Sequence, residues 1–210
     1  MAKSGQETEV KFHVRRLSAL SARIEALGGR LLMPRTHESN LRFDTADEAL
    51  RREGRALRLR RDATCRLTFK GPSHWADGIR IRDEFETTVG DFSSSENILH
   101  ALGYVVVFEY EKYRAVYALA DTEIMLDELP FGDFVEIEGG LGALRPAAGQ
   151  LGLDWTAAIE DSYHSLFERL QAAADLPFRD LTFSNFEGRS VRLIDVGIGP
   201  ADSDFGTPGS

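Results

Sequence analysis

Short stretches in which apolar and polar residues alternate dominate the first two-thirds of the chain. Between Glu7 and Val14, Val10, Phe12 and Val14 fall on one side and Glu7, Glu9, Lys11 and His13 on the other, the two-residue period of a strand with one buried face. The period returns in Arg55–Arg61, where Leu57 and Leu59 oppose Arg58 and Arg60. It returns again in Ile79–Val89, where Arg80, Arg82, Glu84 and Glu86 share a face. Asn40–Asp44, Thr64–Lys70, Tyr104–Ala118, Glu123–Glu128 and Asp133–Glu138 complete the predicted strands. A break is expected near Phe108–Glu109, a loop at Ser73–Gly78, and a turn at Pro130-Phe131-Gly132.

Helical spacing is sparser. Ser18–Leu27 predicts a helix capped by Ser18 and stopped by Gly28-Gly29, and Ser94–Leu102 a second, stopped by Gly103. Leu144–Leu151 predicts a short helix. Asp154 is positioned to cap a longer one, Trp155–Ala174, with Trp155, Ile159, Leu166 and Leu170 on its buried side. Many short strands with few helices predict an α+β fold, an antiparallel sheet or barrel with helices outside. Beyond Leu176 a short apolar piece (Leu181, Phe183, Phe186) precedes a Gly/Pro/Asp/Ser-rich end, so residues 1–175 are expected to form the main domain and 176–210 a partly disordered extension whose last ten or so residues are poorly ordered.

Length allows one domain with a core, or one domain and an appendage, in 210 residues. Cys65 is the only cysteine, which excludes an intramolecular disulfide and a four-thiolate zinc site. No apolar run reaches the length of a membrane helix, and Met1–Glu9 is polar, so a cytoplasmic protein without membrane association is expected. Net charge is −9, unevenly spread: residues 1–82 hold 18 Lys and Arg against 10 Asp and Glu, and residues 83–210 hold 7 against 24. The basic half could form a nucleic-acid surface, or both halves could bring opposite charges onto one site.

The polar faces of the strands decide how that charge is used. Acidic pairs at i, i+2 occur at Glu7/Glu9, Glu84/Glu86 and Glu136/Glu138, and basic pairs at Arg58/Arg60 and Lys112/Arg114; Lys11, Lys70, Arg80, Arg82 and Asp127 join them. Carboxylates so spaced repel unless a hard cation such as Mg²⁺ or Mn²⁺ lies between them, while Arg and Lys suit phosphate oxygens. Any one pair is ordinary on a solvated sheet face. Pairs on several strands, each with an apolar opposite face, instead suit a closed barrel with a charged lumen, where unpaired charge is costly without a ligand.

The motifs carrying these charges resemble the CYTH family, the triphosphate tunnel metalloenzymes named after class IV adenylate cyclase and thiamine triphosphatase. Glu7-Thr8-Glu9-Val10-Lys11 resembles the ExExK opening, Phe43-Asp44-Thr45 follows the first helix, and Ala56-Leu57-Arg58-Leu59-Arg60, Thr68-Phe69-Lys70-Gly71-Pro72, Arg82-Asp83-Glu84-Phe85-Glu86 and Glu111-Lys112-Tyr113-Arg114 resemble successive strands. The stretch from Leu126-Asp127 through Gly132 to Glu136-Ile137-Glu138 resembles the closing hairpin. The match spans roughly residues 6–170. It implies a closed eight-stranded antiparallel tunnel with helices outside, binding a triphosphate within. Carried over by position, Glu7, Glu9, Glu136 and Glu138, with Asp127 assisting, would hold Mg²⁺ or Mn²⁺. Lys11, Arg58, Arg60, Lys70, Lys112 and Arg114 would bind phosphate, joined by Arg82. Lys70 and Asp127 are the candidate catalytic residues. Glu84 and Glu86 would hold a second metal or orient the basic residues, and His13 takes a lumen-facing slot by alternation.

The resemblance implies a metal-dependent hydrolase of tripolyphosphate, a nucleoside triphosphate or thiamine triphosphate. A class IV adenylate cyclase forming cyclic AMP and pyrophosphate is the alternative, and a non-enzymatic polyphosphate or nucleotide sensor a second. Retention of every metal carboxylate argues against the sensor. The partner is then a small-molecule triphosphate. Duplex nucleic acid is not expected, an RNA 5′-triphosphate end could still enter, and the tunnel is compatible with a monomer or a homodimer.

Overall fold

The alternation of the sequence becomes a curved sheet in the computed structural model, which describes residues 3–202. In chain order the elements are β1 (Lys3–Val14), α1 (Leu17–Ala26), β2 (Arg30–Asp44), α2 (Ala49–Arg52), β3 (Ala56–Arg61), β4 (Cys65–Lys70), β5 (His74–Ala76), β6 (Ile79–Val89), α3 (Phe92–Ala101), β7 (Val105–Leu119), β8 (Thr122–Leu129), β9 (Gly132–Gly139), α4 (Leu141–Leu151) and α5 (Tyr163–Ala174). The strands bond in the order β1-β9-β8-β7-β2-β3-β4-β6, and β1 pairs back onto β6. Eight antiparallel strands therefore close into the expected barrel, with β5 added beside β6.

Closure turns one face of every strand outward, and the apolar faces are the ones covered. Val10, Phe12 and Val14 of β1, Ile124 and Leu126 of β8 and Val135 and Ile137 of β9 form one core with Leu20 and Ile24 of α1 and Leu144, Ala148 and Leu151 of α4. Leu41, Phe43, Leu57 and Leu59 form a second with Leu99 of α3. Burying such side chains contributes about 1.5–3 kcal/mol each, which favours the register that leaves the charged face inward. Gly28 takes φ +85 after α1, and any side chain at Gly29 would collide with Ile24, so the Gly-Gly pair stops the helix as expected.

A third core lies under the C-terminal segment. Phe108, Leu129, Phe131 and Phe134 pack against Leu166, Phe167 and Leu170 of α5 and against Leu181, Phe186 and Leu193 beyond it. The first half of β7 has no β8 partner, since β8 pairs only with Tyr113–Leu119. There Leu181 N donates to Glu109 O and Glu111 N donates to Leu181 O, both at 2.9 Å. Further along, Ala201 N donates to His13 O, and the Asp202 carboxylate accepts from Arg15 N. The expectation of a poorly ordered end falls mainly on residues 203–210, which lie outside the described residues.

Several boundaries differ from the sequence reading. β2 begins at Arg30 instead of Asn40, carried through Pro34 by pairing with β7 and by two register shifts. β7 runs unbroken through Phe108–Glu109 because β2 holds it on one side and Leu181 on the other. His74–Ala76 is a strand rather than a loop, paired to Ile79–Ile81. Ser18 lies inside α1, whose cap position is Arg16, and α3 begins at Phe92 rather than Ser94, capped by Asp91. The predicted helix 155–174 is two pieces: a 3-10 turn at Trp155–Ala157, capped by Asp154, and α5, capped by Ser162. Between them Ile159 N donates to Lys11 O, and the carbonyls of Glu160 and Asp161 accept from Arg80 and Lys11, so they are diverted from helix bonding.

Candidate active site

The barrel encloses a cavity of about 390 Å³. All of the expected site positions except Asp127 contribute to its lining. The charges meet across strands as opposite pairs. On the β1–β6–β4 wall, Lys70 Nζ lies 2.8 Å from both Glu7 and Glu84, Arg82 Nε lies 2.6 Å from Glu7, and Glu9 accepts from Arg80 at 3.2 Å. Burial alone would push the Glu7 carboxyl up, but Lys70 and Arg82 outweigh it and hold it far below the usual carboxylate range.

The β7–β8–β9 wall repeats the arrangement deeper in. Asp127 is fully buried and does not line the cavity itself. Lys112 donates to it at 3.0 Å, Arg114 Nε at 2.6 Å and the Tyr163 hydroxyl at 2.8 Å. Arg114 also reaches Glu136 at 2.5 Å, and Lys11 Nζ lies 3.2 Å from the same carboxylate. Against its burial, Lys11 and Arg114 hold Glu136 well below its ordinary value. Burial, with Asp127 and Glu136 facing it, pushes the Tyr163 phenol well up, so it stays a donor.

The β2–β3 wall supplies a carboxylate that sequence reading missed. Glu38 is fully buried, 3.5 Å from Arg60 and 3.7 Å from Lys112. Burial raises its pKa, but Lys112, Arg114, Arg60 and Arg58 bring it down to about 2. Glu86 takes Thr68 Oγ1 at 2.8 Å, Arg60 at 3.4 Å and Arg58 at 3.8 Å. Arg58 donates to the Tyr110 hydroxyl at 3.3 Å. Arg58 and Arg60 thus face the interior. Arg58, Arg60 and Arg80 each keep a buried Nε without a hydrogen bond.

One end of the tunnel is spanned by the residues leading into α5. Arg80 on β6 donates to Glu160 O at 2.8 Å and Lys11 on β1 to Asp161 O at 3.2 Å. Tyr163 reaches β8 through Asp127, and His164 stacks on Phe108 of β7 with ring centroids 4.0 Å apart and meets Arg42 of β2 at 3.0 Å. Burial and the Arg42 guanidinium lower the His164 pKa to about 4, so the ring is neutral beside Arg42. Arg42 and Tyr110 were legible from alternation with Leu41/Phe43 and with Lys112/Arg114. Glu38, Tyr163 and His164 lay in segments whose predicted boundaries were different. His13 does not line the cavity: its Nδ1 lies 2.9 Å from Asp133 O and its ring packs on Phe134.

Comparison with known proteins agrees with this geometry. The CYTH domain model matches residues 5–142. The adenylate cyclase CyaB of Aeromonas hydrophila is 26% identical over 133 residues, 62% of this chain and 67% of that protein. A candidate adenylate cyclase from Vibrio parahaemolyticus superposes with a TM-score of 0.69 at 23% identity, over 76% of this chain and 96% of that one. A candidate adenylyl cyclase from Hippeastrum, reported to have a dominant triphosphatase activity, gives 0.59 at 22% identity, over 77% and 95%.

Proposed function

The chain belongs to the CYTH domain family, and from that premise we propose that it is a metal-dependent enzyme hydrolysing a triphosphate-bearing substrate drawn into the tunnel. The observation that carries this reading is the interior itself: a closed barrel lined by cations, three of which, Arg58, Arg60 and Arg80, keep a buried Nε without a hydrogen bond, Arg60 Nε having only the Asp62 carboxylate at 3.4 Å. A buried unsatisfied donor costs roughly 1–3 kcal/mol, and phosphate oxygens are the acceptors that Arg forks fit. Lys11, Arg58, Arg60, Lys70, Arg82, Lys112 and Arg114 bind the phosphate chain in this reading.

Glu7, Glu9, Glu136 and Glu138 would hold Mg²⁺ or Mn²⁺. Among the described residues no three acidic, His or Cys side chains already converge as a cage. Mg²⁺ does not need one, since it takes one or two carboxylates and completes its shell with water and substrate phosphate. Glu9 and Glu138 are direct cross-strand neighbours that both line the cavity, which suits that mode. A bound metal would neutralise phosphate charge and supply an activated water.

The paired charges would exchange partners when substrate enters. Lys70 and Arg82 would turn from Glu7 to phosphate, which would leave the Glu7 carboxylate available to help hold a metal. Lys70, Lys112 and Arg114 then stabilise charge developing on the leaving oxygen. Asp127, enclosed by three donors, holds Lys112 and Arg114 in place. Glu84 and Glu86 do the same for Lys70 and for the Arg58–Arg60 pair.

The second reading is adenylate cyclisation, favoured by the name of the Aeromonas relative. There the ribose 3′-hydroxyl attacks the α-phosphorus and pyrophosphate leaves. Purified protein offered ATP, tripolyphosphate and thiamine triphosphate, with Mg²⁺ and then Mn²⁺, separates the two. Orthophosphate without cyclic AMP supports the hydrolase. Cyclic AMP with matching pyrophosphate supports the cyclase, and absence of all three products with every pair overturns both.

A further inference from the structure

Behind the closed end of the tunnel lies a second cavity, of about 150 Å³, between α5, α2 and the end of β2. Arg42 and His164 line both cavities. The inner face of β2 runs from one to the other: Glu38 lines the tunnel, Arg42 both cavities and Asp44 the second, at the even spacing that keeps side chains on one face. The partition itself is made of side chains. Arg42 Nη1 donates to His164 Nδ1 at 3.0 Å, and the His164 ring stacks on Phe108. Rotation of two side chains, with no ladder bond broken, would open it.

Arg42 stands apart from the other cations of the tunnel. Every other Lys and Arg lining it has a carboxylate within 3.8 Å. Among the described residues Arg42 has none, and its hydrogen bond goes to the neutral His164 ring. Asp44, on the same strand face, is committed to backbone, accepting from Thr45 N, Leu50 N and Arg51 N at 2.7, 2.9 and 2.9 Å. A largely enclosed cation without a counter-ion is costly and is relieved by a mobile anion. Two more guanidinium groups face the second cavity. Arg51 pairs with Glu168 at 2.7 Å and Glu48 at 3.5 Å, and Arg179 with Asp180 at 3.1 Å. Exposed pairs of this kind contribute roughly 0–1 kcal/mol, so these arginines can exchange partners. Three Arg forks around so small a space suit one tetrahedral oxyanion.

The tunnel opens at the other end of β2. There the strand shifts register, and Leu32 and Met33, adjacent in sequence, both line the mouth with Val116 and Met125, Leu32 being 40% exposed. A phosphate chain drawn in from the mouth meets the strap of residues 160–164 with its free end. Hydrolysis joins a water oxygen to the terminal phosphorus, breaks the bridging P–O bond and leaves its electron pair on the shortened chain. The orthophosphate so formed lies at the closed end, and the shortened chain lies between it and the mouth.

We propose that the second cavity is a rear orthophosphate site, through which the cleaved terminal phosphate leaves past Arg42 and His164 while the rest of the substrate still occupies the tunnel. The inference rests on the triphosphate reading above and adds to it a separate route for the inorganic product.

Two measurements on the full chain test it. In the first, inorganic phosphate is titrated calorimetrically into native protein and into the Arg51→Gln/Arg179→Gln variant, each saturated with Mg²⁺ and a methylene-bridged tripolyphosphate that cannot be hydrolysed. Native protein should still take up orthophosphate with its tunnel filled. In the variant that Kd should rise about 10-fold or more, with the Kd of the analogue changed less than about 2-fold. Filled protein that takes up no orthophosphate, or a variant that matches the native protein, overturns the rear site and leaves the triphosphate reading standing. Native protein that does not bind the analogue overturns both. In the second, a single turnover of the preferred triphosphate is followed by acid quench for cleavage and by a fluorescent phosphate sensor for release. Val107→Phe narrows the second cavity from β7, so release should lag behind a cleavage step of native rate. The Arg51→Gln/Arg179→Gln variant, read the same way, replaces it if it folds poorly. Release that stays in step with cleavage overturns the exit.

Discussion

The deep end of the tunnel and its mouth are built from the same strands but follow opposite rules. At the deep end the charges other than Arg42 are paired inside the fold, with only the Arg80 Nε left without a hydrogen bond among those named: Asp127 has three donors, Lys11 and Arg80 donate to carbonyls, and Tyr163 and His164 complete the wall. At the mouth, apolar side chains are left facing the cavity by a strand that departs from its own period. Stability and site geometry are therefore inseparable at one end and separable at the other. Substitutions deep in the barrel should cost both fold and function, and substitutions at the mouth should spare the fold.

Arg114→Ala tests the deep end most severely. It removes the cation shared by Asp127 and Glu136. Unfolding free energy should drop by about 3–5 kcal/mol, and kcat/KM for the preferred triphosphate by about 10²–10³. Denaturant unfolding and product assays check both, and an unaltered midpoint would mean that these carboxylates do not depend on Arg114. Tyr163→Phe deletes only the hydroxyl donated to Asp127 and should cost about 1.5–3 kcal/mol, read from the same unfolding curves.

Acid should weaken the deep end in two stages. His164 has a folded pKa of about 4, below its ordinary 6.5, through burial and Arg42, with Arg51 adding to the effect and Glu168 and Asp180 opposing it. Between those values the unfolded chain binds the extra proton, so the neutral ring's contribution is complete above about pH 6.5 and lost as pH falls toward 4. Glu38 acts lower: its contribution is present above about 4.5 and lost toward 2. In stability measured against pH, His164→Gln should flatten the first limb and leave the second, and a slope unchanged from 6.5 to 4 would refute the assignment. Leu32→Ser has the smallest expected effect, within about 0.5 kcal/mol of the native stability. A larger loss would show that the mouth is structural after all.

What the sequence disclosed followed the same division. Where β1, β3 and β6 keep a strict period, Val10, Phe12 and Val14 separate from Glu7, Glu9 and Lys11, and both the barrel and its charged lining can be read directly. Where the period slips, at Leu31–Thr36, the strand was missed and Glu38 with it, because two extra residues erase the alternation that would have announced them. The helix expected at 155–174 shows the other limit. Its apolar stripe is real, with Ile159, Leu166 and Leu170 buried, but the bonds that interrupt it come from Lys11 and Arg80, far away in sequence. Local pattern cannot report an acceptor claimed by a distant donor. The division into a tunnel domain at 1–175 and an extension at 176–210 is likewise a proposal. Truncation after Leu176 addresses it: with Leu181, Phe186 and Leu193 buried in a shared core, loss of soluble protein is expected.

The bonds between Leu181 and β7 also impose an order in time. At roughly 5–20 residues per second of synthesis, the stretch separating Tyr110 from Leu181 takes roughly 4–14 s to emerge. For that interval the first half of β7 offers bare peptide groups along one side, a template for any neighbouring chain. A ribosome that stalls between Gly139 and Leu181 would leave a closed barrel with one exposed strand edge, so codon pace or chaperone cover between these two points should govern the yield of usable protein more than the same delay elsewhere.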